Sequence, residues 1–600
     1  MNVLVILALA SLAFVLASRF YSRSIARVLG EDAKHSTPAV TYCDGRDYVP
    51  TKTYVVFAHH FSAIAGAGPI LGPTMALLYG FVPAWLWIVL GGIFIGAVHD
   101  FTTLFISMRE GGKSMAEVAR KTLGAKGFNL FIGFTIVMIV LVTSSFLSAT
   151  SISLTSLWPL AKIGVKEGET FLKTVLKDGV AMGRIGGIAS MSVIVITLCS
   201  PFLGWLIYKK GIKTIYAYLI ASLICVVSVL LGIAYPVTLS PTVWMVVISI
   251  YVLFAAGAPV WLILQPRDFI NVQILYGGIV LMILSLFTAG FGGLSVSIPS
   301  FNLKEGVQHL GFIWPMMFCT IACGAISGFH ALVAGGTTGK QLSCEIDARR
   351  VGYNAMLLES VLAVCVILAI GGALNFSDYK SIVWPTDPGI KSNPILGFSL
   401  AAGQLFNRGL GIPVALGTVF GILLVEGFVV TTLDAAVRLN RYLFEELWGI
   451  LFKKAPRLLK YYWFNSGLSV VFDVEPGLDE RLQPALADFR NRQPAAGSPE
   501  LIGRLGLASS PREENRFHAY PRRFHDRDDP GLAGNFAARV HSKEELCPCR
   551  SRRAAVHSGH RGRRPRLENV FEKKNARAGN HLTISNFLTV SCQVRREINL

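Results

Sequence analysis

Ionisable side chains that stand among apolar neighbours are the residues of this sequence most able to do chemistry. Placing such a group at the centre of a bilayer costs on the order of 2.5–3.5 kcal/mol even on permissive scales, so these residues commonly face a cavity or a partner. Glu359 in MLLESVLAV and Glu426 in VEGFVV have apolar neighbours on both sides, which favours a functional role. The other candidates with an ionisable or hydroxyl group are His59, His60, His99, Asp100, Asp268, His330, Thr337, Thr338, Lys340, Thr431, Thr432 and Asp434.

Each candidate also has an ordinary interpretation, either a charge at the membrane interface or a structural hydrogen bond. For Asp268 and Lys340 the ordinary and the functional interpretations stay balanced. We expect Glu359, Glu426 and Asp100 to carry protons or to hold a cation, with histidines as relay partners because imidazole exchanges a proton near neutral pH. The expected relay partners are His59, His60, His99 and His330.

Helix-breaking residues lie inside a segment that is apolar enough to cross a membrane. The stretch HHFSAIAGAGPILGP, residues 59–73, contains the candidates Gly66, Gly68 and Pro69. Proline removes a backbone donor and glycine admits unusual dihedrals, so the helix is expected to break here. Irregular backbone inside a membrane is tolerated only where protein or a water-filled cavity meets its polar groups.

A second interruption is predicted at ALVAGGTTGKQ, residues 331–341, which has adjacent glycines and adjacent threonines. Secondary transporters bind substrate at discontinuous helices, with the N-termini of half-helices facing anionic groups. Two broken helices far apart in the sequence therefore suggest paired repeats around one site.

The composition and the apolar runs place these segments in a membrane. The chain has 600 residues, of which 52% are hydrophobic and 16% are charged, whereas a soluble globular chain carries about 25% charged residues. Runs of about 20 apolar residues are long enough to cross a hydrocarbon core of ~30 Å. We therefore predict an all-α, polytopic membrane helix bundle. Its eleven spans are expected near residues 3–18, 54–80, 83–106, 127–150, 188–207, 214–235, 242–263, 274–296, 311–335, 353–374 and 411–433.

Several other classes of function are not expected. The net charge of +19 is spread over loops and the C-terminal segment without a basic, aromatic-interleaved stripe, so no nucleic-acid partner is predicted. Cys319 and Cys323 are interpreted as small buried residues, and we expect neither a metal site nor a cofactor. The sequence has no H-E-x-x-H motif, which argues against an intramembrane metalloprotease, and the chain is not expected to be an enzyme.

Six long motifs together resemble the carbon starvation protein A family, from about Tyr42 to Glu446. They are HHFSAIAGAGPILGP, GAVHDF, QPRDF, CGAISGFHALVAGGTTGKQ, MLLESVLAV and TTLDAAVRLNRYLFEE. The resemblance implies a LeuT-like inverted-repeat fold and a secondary active transporter in the bacterial inner membrane. It also implies import of peptides or pyruvate during carbon starvation, coupled to a proton or sodium ion.

The expected partners are the lipid bilayer, the small-molecule substrate and the coupling cation, and the oligomeric state stays open.

Two alternatives come from other classes of function, namely a membrane channel and a non-transport protein such as a nutrient sensor. A channel would need a ring of selectivity groups, and the scattered charges of this sequence argue against one.

The C-terminal part of the chain differs in character from the rest. Residues 1–465 are predicted to form the transmembrane transporter domain, and residues 466–600 form a polar tail that is either disordered or frameshifted. The segment LADFRNRQPAAG, residues 486–497, back-translates so that reading one base later gives WPIFGTGNQLLA, which resembles a late motif of the family. The same shift converts RFHAYPRRFHDRDDPG, residues 516–531, into the apolar GFTLIPAVFMTVTTL. We infer a frameshift upstream of Leu486.

The nucleotide sequence tests the frameshift directly. We expect the second reading frame after about residue 465 to encode W-P-x-F-G-x-x-N-Q-L-L-A followed by apolar spans. We also expect poor expression or low stability of the 600-residue form, because helices at the end of the bundle would lack packing partners. A second frame that is interrupted by early stop codons and lacks this motif would show that the tail is genuine.

Overall fold

Helices form almost all of the regular structure in the computed structural model. It describes residues 1–155, 157–163, 173–177, 179–386, 392–452 and 456–478. The two segments that carry the frameshift prediction lie outside the described residues, and so does the side chain of Glu426.

Seventeen helices of eight or more residues follow one another along the described part of the chain. The first nine are α1 (Val3–Leu29), α2 (Thr53–Ala65), α3 (Gly68–Ala76), α4 (Phe81–Arg109), α5 (Met115–Leu154), α6 (Ile185–Tyr208), α7 (Thr214–Ala234), α8 (Pro241–Gly257) and α9 (Leu264–Phe291). The next eight are α10 (Leu303–Leu310), α11 (Ile313–Thr320), α12 (Gly328–Gly336), α13 (Arg349–Ala373), α14 (Phe376–Val383), α15 (Pro394–Leu410), α16 (Val414–Leu451) and α17 (Tyr462–Leu478).

Most of the predicted membrane spans correspond to long apolar helices. Among the described residues, eight helical segments are long and apolar enough to cross a membrane, and each coincides with a predicted span. The predicted spans 242–263 and 411–433 coincide with the shorter apolar helices Pro241–Gly257 and Val414–Val425. The predicted span 311–335 is instead divided between α11 and α12, which have eight and nine residues. The protein is therefore a multi-pass membrane protein.

A small sheet lies in the connection between α5 and α6. Its strands are β1 (Trp158–Pro159), β2 (Thr174–Lys177) and β3 (Val180–Gly183), in the order β1-β3-β2 with antiparallel pairing. The all-α prediction missed this sheet because strands of two to four residues are too short to show a hydrophobic alternation.

The first predicted interruption separates α2 from α3. Gly66 has φ +38° and ψ −154°, a conformation that side-chain-bearing residues rarely adopt. The chain resumes its helix at Gly68, and Pro69 lies in the first turn, where a missing N–H leaves no intrahelical bond unmade. The span therefore consists of two half-helices that meet at Gly66.

The sequence predicts the second interruption at residues 331–341, but residues 331–336 are helical in α12, and the irregular backbone lies on either side of that helix. Residues 321–327 turn before α12 begins at Gly328, and a short 3-10 turn, Thr338–Lys340, follows α12. Helix α4 approaches this irregular stretch closely at Gly96, where an added Cβ would collide with the carbonyl oxygen of Ala325. The close approach of the two backbones allows α4 to help enclose the break.

The substitution Gly96→Ala tests this close approach. Because the added methyl group would meet a backbone oxygen, we expect a loss of about 1–3 kcal/mol of stability and a lower midpoint of thermal unfolding in detergent. Gly133→Ala in α5 is the matched control, since its Cβ would have no neighbour within 4 Å among the residues that the structure describes. Equal unfolding midpoints for the two variants would contradict the packing of α4 on the second break.

Candidate substrate and ion site

Four ionisable side chains from three helices form one connected group, which we call the carboxylate–histidine chain. His99 Nδ1 lies 2.8 Å from Asp100 Oδ1, and His330 Nδ1 lies 2.8 Å from Asp100 Oδ2. The side chain of His99 is 30% exposed, whereas those of Asp100, His330 and Glu359 are fully buried. His330 Nε2 and Glu359 Oε2 are 3.4 Å apart without forming a hydrogen bond. The chain leads from the surface of the protein into its interior.

Cys323 joins the buried end of this chain. Its sulfur, a ring nitrogen of His330 and a carboxylate oxygen of Glu359 all lie within 4.8 Å of one another, an arrangement that could hold a metal ion. The sequence-based interpretation of the two cysteines as buried residues is wrong for Cys319, which is exposed on α11. It also missed Cys323 as a site residue, because the turn at residues 321–327 takes this side chain out of the helical spacing.

A second buried pair joins the first half-helix to α9. His59 Nδ1 lies 2.5 Å from Asp268 Oδ2, and both side chains are fully buried. The outer atoms of the pair, His59 Nε2 and Asp268 Oδ1, have no hydrogen-bond partner in the described part of the chain. The pair can therefore form a hydrogen bond with a further donor or acceptor without breaking the bond between His59 and Asp268.

The neighbouring arginine of α9 points to a different helix. Arg267 forms an ion pair with Asp434 of α16, and its Nη1 also donates to the hydroxyl of Tyr251 over 2.7 Å. Tyr251 donates in turn to Asp434 Oδ2 over 2.7 Å. Asp434 is thus held by an arginine and a tyrosine, which favours a structural role for this candidate.

Hydroxyl groups line the sides of the first break. The hydroxyl of Thr432 donates to the carbonyl oxygen of Ala63 over 3.4 Å, and it lies 3.1 Å from the position of a Cβ on Gly66. Thr431 accepts a hydrogen bond of 3.0 Å from Asn271 of α9. On the α2 side, His60 Nδ1 lies 2.9 Å from the hydroxyl of Thr338.

Lys340 belongs to a separate cluster outside the membrane-spanning helices. Asp47 accepts hydrogen bonds from Arg438 over 2.9 Å, from Arg441 over 3.0 and 3.1 Å, and from Tyr442 over 2.8 Å. Burial alone would raise the pKa of Asp47, but Arg441, Arg438 and Lys340 outweigh it and hold that pKa well below its usual range. Burial lowers the pKa of Lys340 to about 8, although Asp47 opposes the shift. The ammonium group lies 3.6 Å from the centre of the Tyr442 ring.

The same region joins the two broken segments through their backbones. The N–H of Val49 donates to the carbonyl of Lys340 over 3.2 Å, and the N–H of Thr51 donates to Gln341 over 3.0 Å. Gln265 Nε2 of α9 donates to the side-chain oxygen of Gln341 over 2.6 Å. The chain that enters α2 is therefore paired with the chain that leaves α12.

The structure thus separates the predicted site residues into groups. Most lie near one of the two breaks, but Lys340 lies in the Asp47 cluster. The hydroxyl of Thr337, the residue after α12, donates to the carbonyl oxygen of Val333 over 3.0 Å. Asp47 was missed because it lies in a polar connection, where a charge is ordinary. Cys323 was missed because a cysteine within an apolar run is normally a small buried residue.

Apolar spans, a helix broken within the membrane and buried ionisable groups beside the break define a multi-pass membrane protein with the characteristics of a secondary transporter. The family of this chain follows from its sequence. The chain belongs to the carbon starvation protein CstA family, whose family model matches residues 2–388 and 375–475. This match confirms the resemblance found in the six motifs.

Three relatives show the extent of the similarity. The peptide transporter CstA of Bacillus subtilis (strain 168) is 31% identical over 484 residues, which cover 76% of each chain. A peptide transporter CstA of Campylobacter jejuni is 30% identical over 488 residues, 73% of this chain and 65% of the relative. The pyruvate/proton symporter BtsT of Escherichia coli (strain K12) is 30% identical over 504 residues, 73% of this chain and 66% of the relative. The chain therefore spans about two thirds to three quarters of these relatives.

The variant Asp47→Asn tests the Asp47 cluster. It leaves two buried guanidinium groups without their carboxylate, and we expect a loss of about 3 kcal/mol of stability at pH 7. Because the pKa of Asp47 is lowered in the folded state, ionised Asp47 stabilises that state. This stabilisation is fully present above about pH 4 and disappears as the pH falls through the folded pKa. The measurement is the midpoint of thermal unfolding, with the exposed Asp378→Asn as control. Similar midpoints for the two variants would show that the cluster contributes little.

Proposed function

We propose that this chain is a proton-coupled secondary active transporter that imports a small carboxylate-bearing solute, a peptide or pyruvate, across the bacterial inner membrane. The observation that carries the proposal is the break at Gly66, which ends the half-helix that bears the buried His59–Asp268 pair. A helix interrupted within the membrane provides polar backbone for a substrate, and buried titratable groups provide a carrier for the coupling ion. The names of the relatives, peptide transporter and pyruvate/proton symporter, support both parts.

The N-terminus of α3 is the proposed binding point for the carboxylate of the substrate. Helix α3 begins at the break, and no side chain in the described part of the chain caps its first turn. The N-terminal end of a helix carries a partial positive charge and donors that favour an anionic group. Peptides and pyruvate share a carboxylate, so one such site would serve either substrate. Pro69 contributes no N–H, and the donors of the site would come from the neighbouring positions.

The buried pair of His59 and Asp268 is the proposed carrier of the coupling proton. The two groups lie on α2 and α9, so a movement of α2 relative to α9 changes the distance between them. A buried charge without a partner is costly, and the pair therefore favours different proton occupancies in different conformations. By linkage, proton binding then shifts the conformational equilibrium. An imidazole and a carboxylate favour a proton over sodium, which prefers oxygen ligands.

A LeuT-like inverted repeat is the proposed architecture for this movement. Two broken segments, α2–α3 and α11–α12, lie far apart in the sequence and are paired through Thr51 and Leu342. Inverted-repeat transporters place their substrate between two such segments and rock one part of the bundle against the other. The remaining candidates, Thr432 and His60 among them, would line the path between the segments.

A channel and a nutrient sensor remain the alternatives from other classes of function. A channel conducts through a continuous pore lined by selectivity groups, whereas the ionisable groups of this chain are paired with one another inside the bundle. Uptake that saturates with substrate excludes a channel. Exchange of labelled for unlabelled substrate excludes a sensor that does not transport.

Transport in proteoliposomes tests the substrate and the coupling group separately. Counterflow of labelled pyruvate or of a labelled dipeptide is expected with the wild-type chain. Asp268→Asn should keep counterflow, because the substrate site is intact, but should lose accumulation driven by an inward proton gradient. The exposed Asp378→Asn serves as control and should accumulate substrate as the wild type does.

Each outcome bears on one part of the proposal. Counterflow of neither compound would overturn the proposed substrate class. Uphill accumulation by both Asp268→Asn and His59→Gln would overturn the role of this pair, even if transport itself is confirmed. Retained counterflow shows that a variant is folded, so a loss of accumulation cannot be attributed to misfolding.

A further inference from the structure

We propose that Cys323, His330 and Glu359 form a binding site for a divalent transition-metal ion of the zinc class. The three side chains offer a sulfur, a nitrogen and an oxygen, which are the donors that zinc binds in proteins. Their donor atoms lie within 4.8 Å of one another. Tetrahedral zinc holds its ligand atoms about 3.3–3.6 Å apart, so the site would close by roughly 1 Å when an ion binds.

The hydrogen bond from His330 to Asp100 directs the other ring nitrogen toward the site. In the tautomer with its proton on Nδ1, His330 donates to Asp100 over 2.8 Å, and Nε2 carries the lone pair that a metal ion requires. That lone pair faces Glu359 Oε2 at 3.4 Å, and neither atom has a hydrogen-bond partner among the described residues. Two acceptors that face each other in a buried place repel unless a proton or a metal ion lies between them, and a metal ion would bind both atoms.

The surroundings of the site also fit a bound divalent ion. A thiolate, a carboxylate and a neutral imidazole around an ion of charge +2 give no net charge, which lowers the cost of burial in a membrane. Asp100 would serve as the outer carboxylate that orients a metal-bound histidine, and such outer partners raise metal affinity. Asp100 is itself held by His99 over 2.8 Å.

A bound ion would link different parts of the fold, because its three ligands come from a turn and two helices. Cys323 lies in the turn before α12, His330 lies on α12, and Glu359 lies on α13. An added Cβ on Gly68, the first residue of α3, would collide with the Cys323 sulfur. A bound ion would therefore fix the second break to α13 at the place where it contacts the first break.

The expectation of no metal site came from the spacing of the cysteines alone. Cys323 and Glu359 are far apart in the sequence, and their approach depends on the turn at residues 321–327. No local cysteine–histidine spacing marks such a site, so its signal is present only in three dimensions.

Cobalt binding to the purified full-length chain tests the site. The polar tail carries further thiols that could bind metal, so all proteins should carry serine at Cys547, Cys549 and Cys592. After chelator treatment, we expect one Co²⁺ per chain to be retained through gel filtration, with a thiolate-to-cobalt charge-transfer band in the near ultraviolet. Cys323→Ser should lose the band and the retained ion. Cys319→Ser, four residues earlier and exposed, is the matched control and should keep both.

Two further variants keep the test decisive if Cys323→Ser does not fold. Glu359→Gln removes an oxygen ligand and should weaken Co²⁺ binding while the charge-transfer band remains at saturation. Asp100→Asn removes the outer partner and should weaken binding about 10–100-fold. Absence of stoichiometric cobalt in the parent protein, or equal retention by the Cys323 and Cys319 variants, would overturn the site. The measurement involves no transport, so its failure leaves the transport proposal standing.

Discussion

The break between Ala65 and Gly68 is the feature on which the rest of the described structure depends. Backbone polar groups freed inside a bilayer have no water to bind, so neighbouring segments must supply their partners. Thr432 of α16 supplies a hydroxyl on one side, where it donates to the carbonyl of Ala63. On the other side, Gly68 allows close contact with the turn that contains Cys323. The need to enclose one broken helix thus fixes the positions of α16 and of the second broken segment.

Buried ionisable groups also connect the helices, because several of them have their partner on another helix. The consecutive residues Arg267 and Asp268 face different neighbours: the arginine binds Asp434 of α16, and the aspartate pairs with His59 of α2. Helix α9 therefore connects the broken helix with α16 through one histidine–carboxylate contact and one ion pair. The carboxylate–histidine chain connects α4, α12 and α13 in a comparable way.

The cluster around Asp47 secures the segment that leads into the first broken helix. Two arginines and a tyrosine of α16 bind this carboxylate, and the backbone between Asp47 and α2 pairs with the chain that follows α12. The entrance of one broken segment is thereby attached to the exit of the other and to α16. Any movement that opens the site at this end has to stretch or break these contacts, whose charges are largely shielded from water.

The membrane class, most of the spans and the interruption at Gly66 were predictable from the sequence, because each depends on local properties. The second interruption, predicted at residues 331–341, was only partly right, because residues 331–336 belong to α12. A run of about 20 apolar residues is a span wherever it occurs, and the glycines and Pro69 break a helix through their own backbone chemistry. Most of the buried ionisable residues could also be identified in the sequence, because ionisable residues are rare within apolar runs. It misjudged residues 311–335, where a continuous apolar run conceals the turn between α11 and α12.

Only the tertiary structure decided which groups meet. His59 and Asp268 are 209 residues apart, and Arg267 and Asp434 are 167 residues apart. Such pairs depend on how helices pack, and the contacts between helices carry no signal in the spacing of either residue. For the same reason the proximity of Cys323 to His330 and Glu359 was not visible in the sequence, because it arises where an irregular turn lies against two helices.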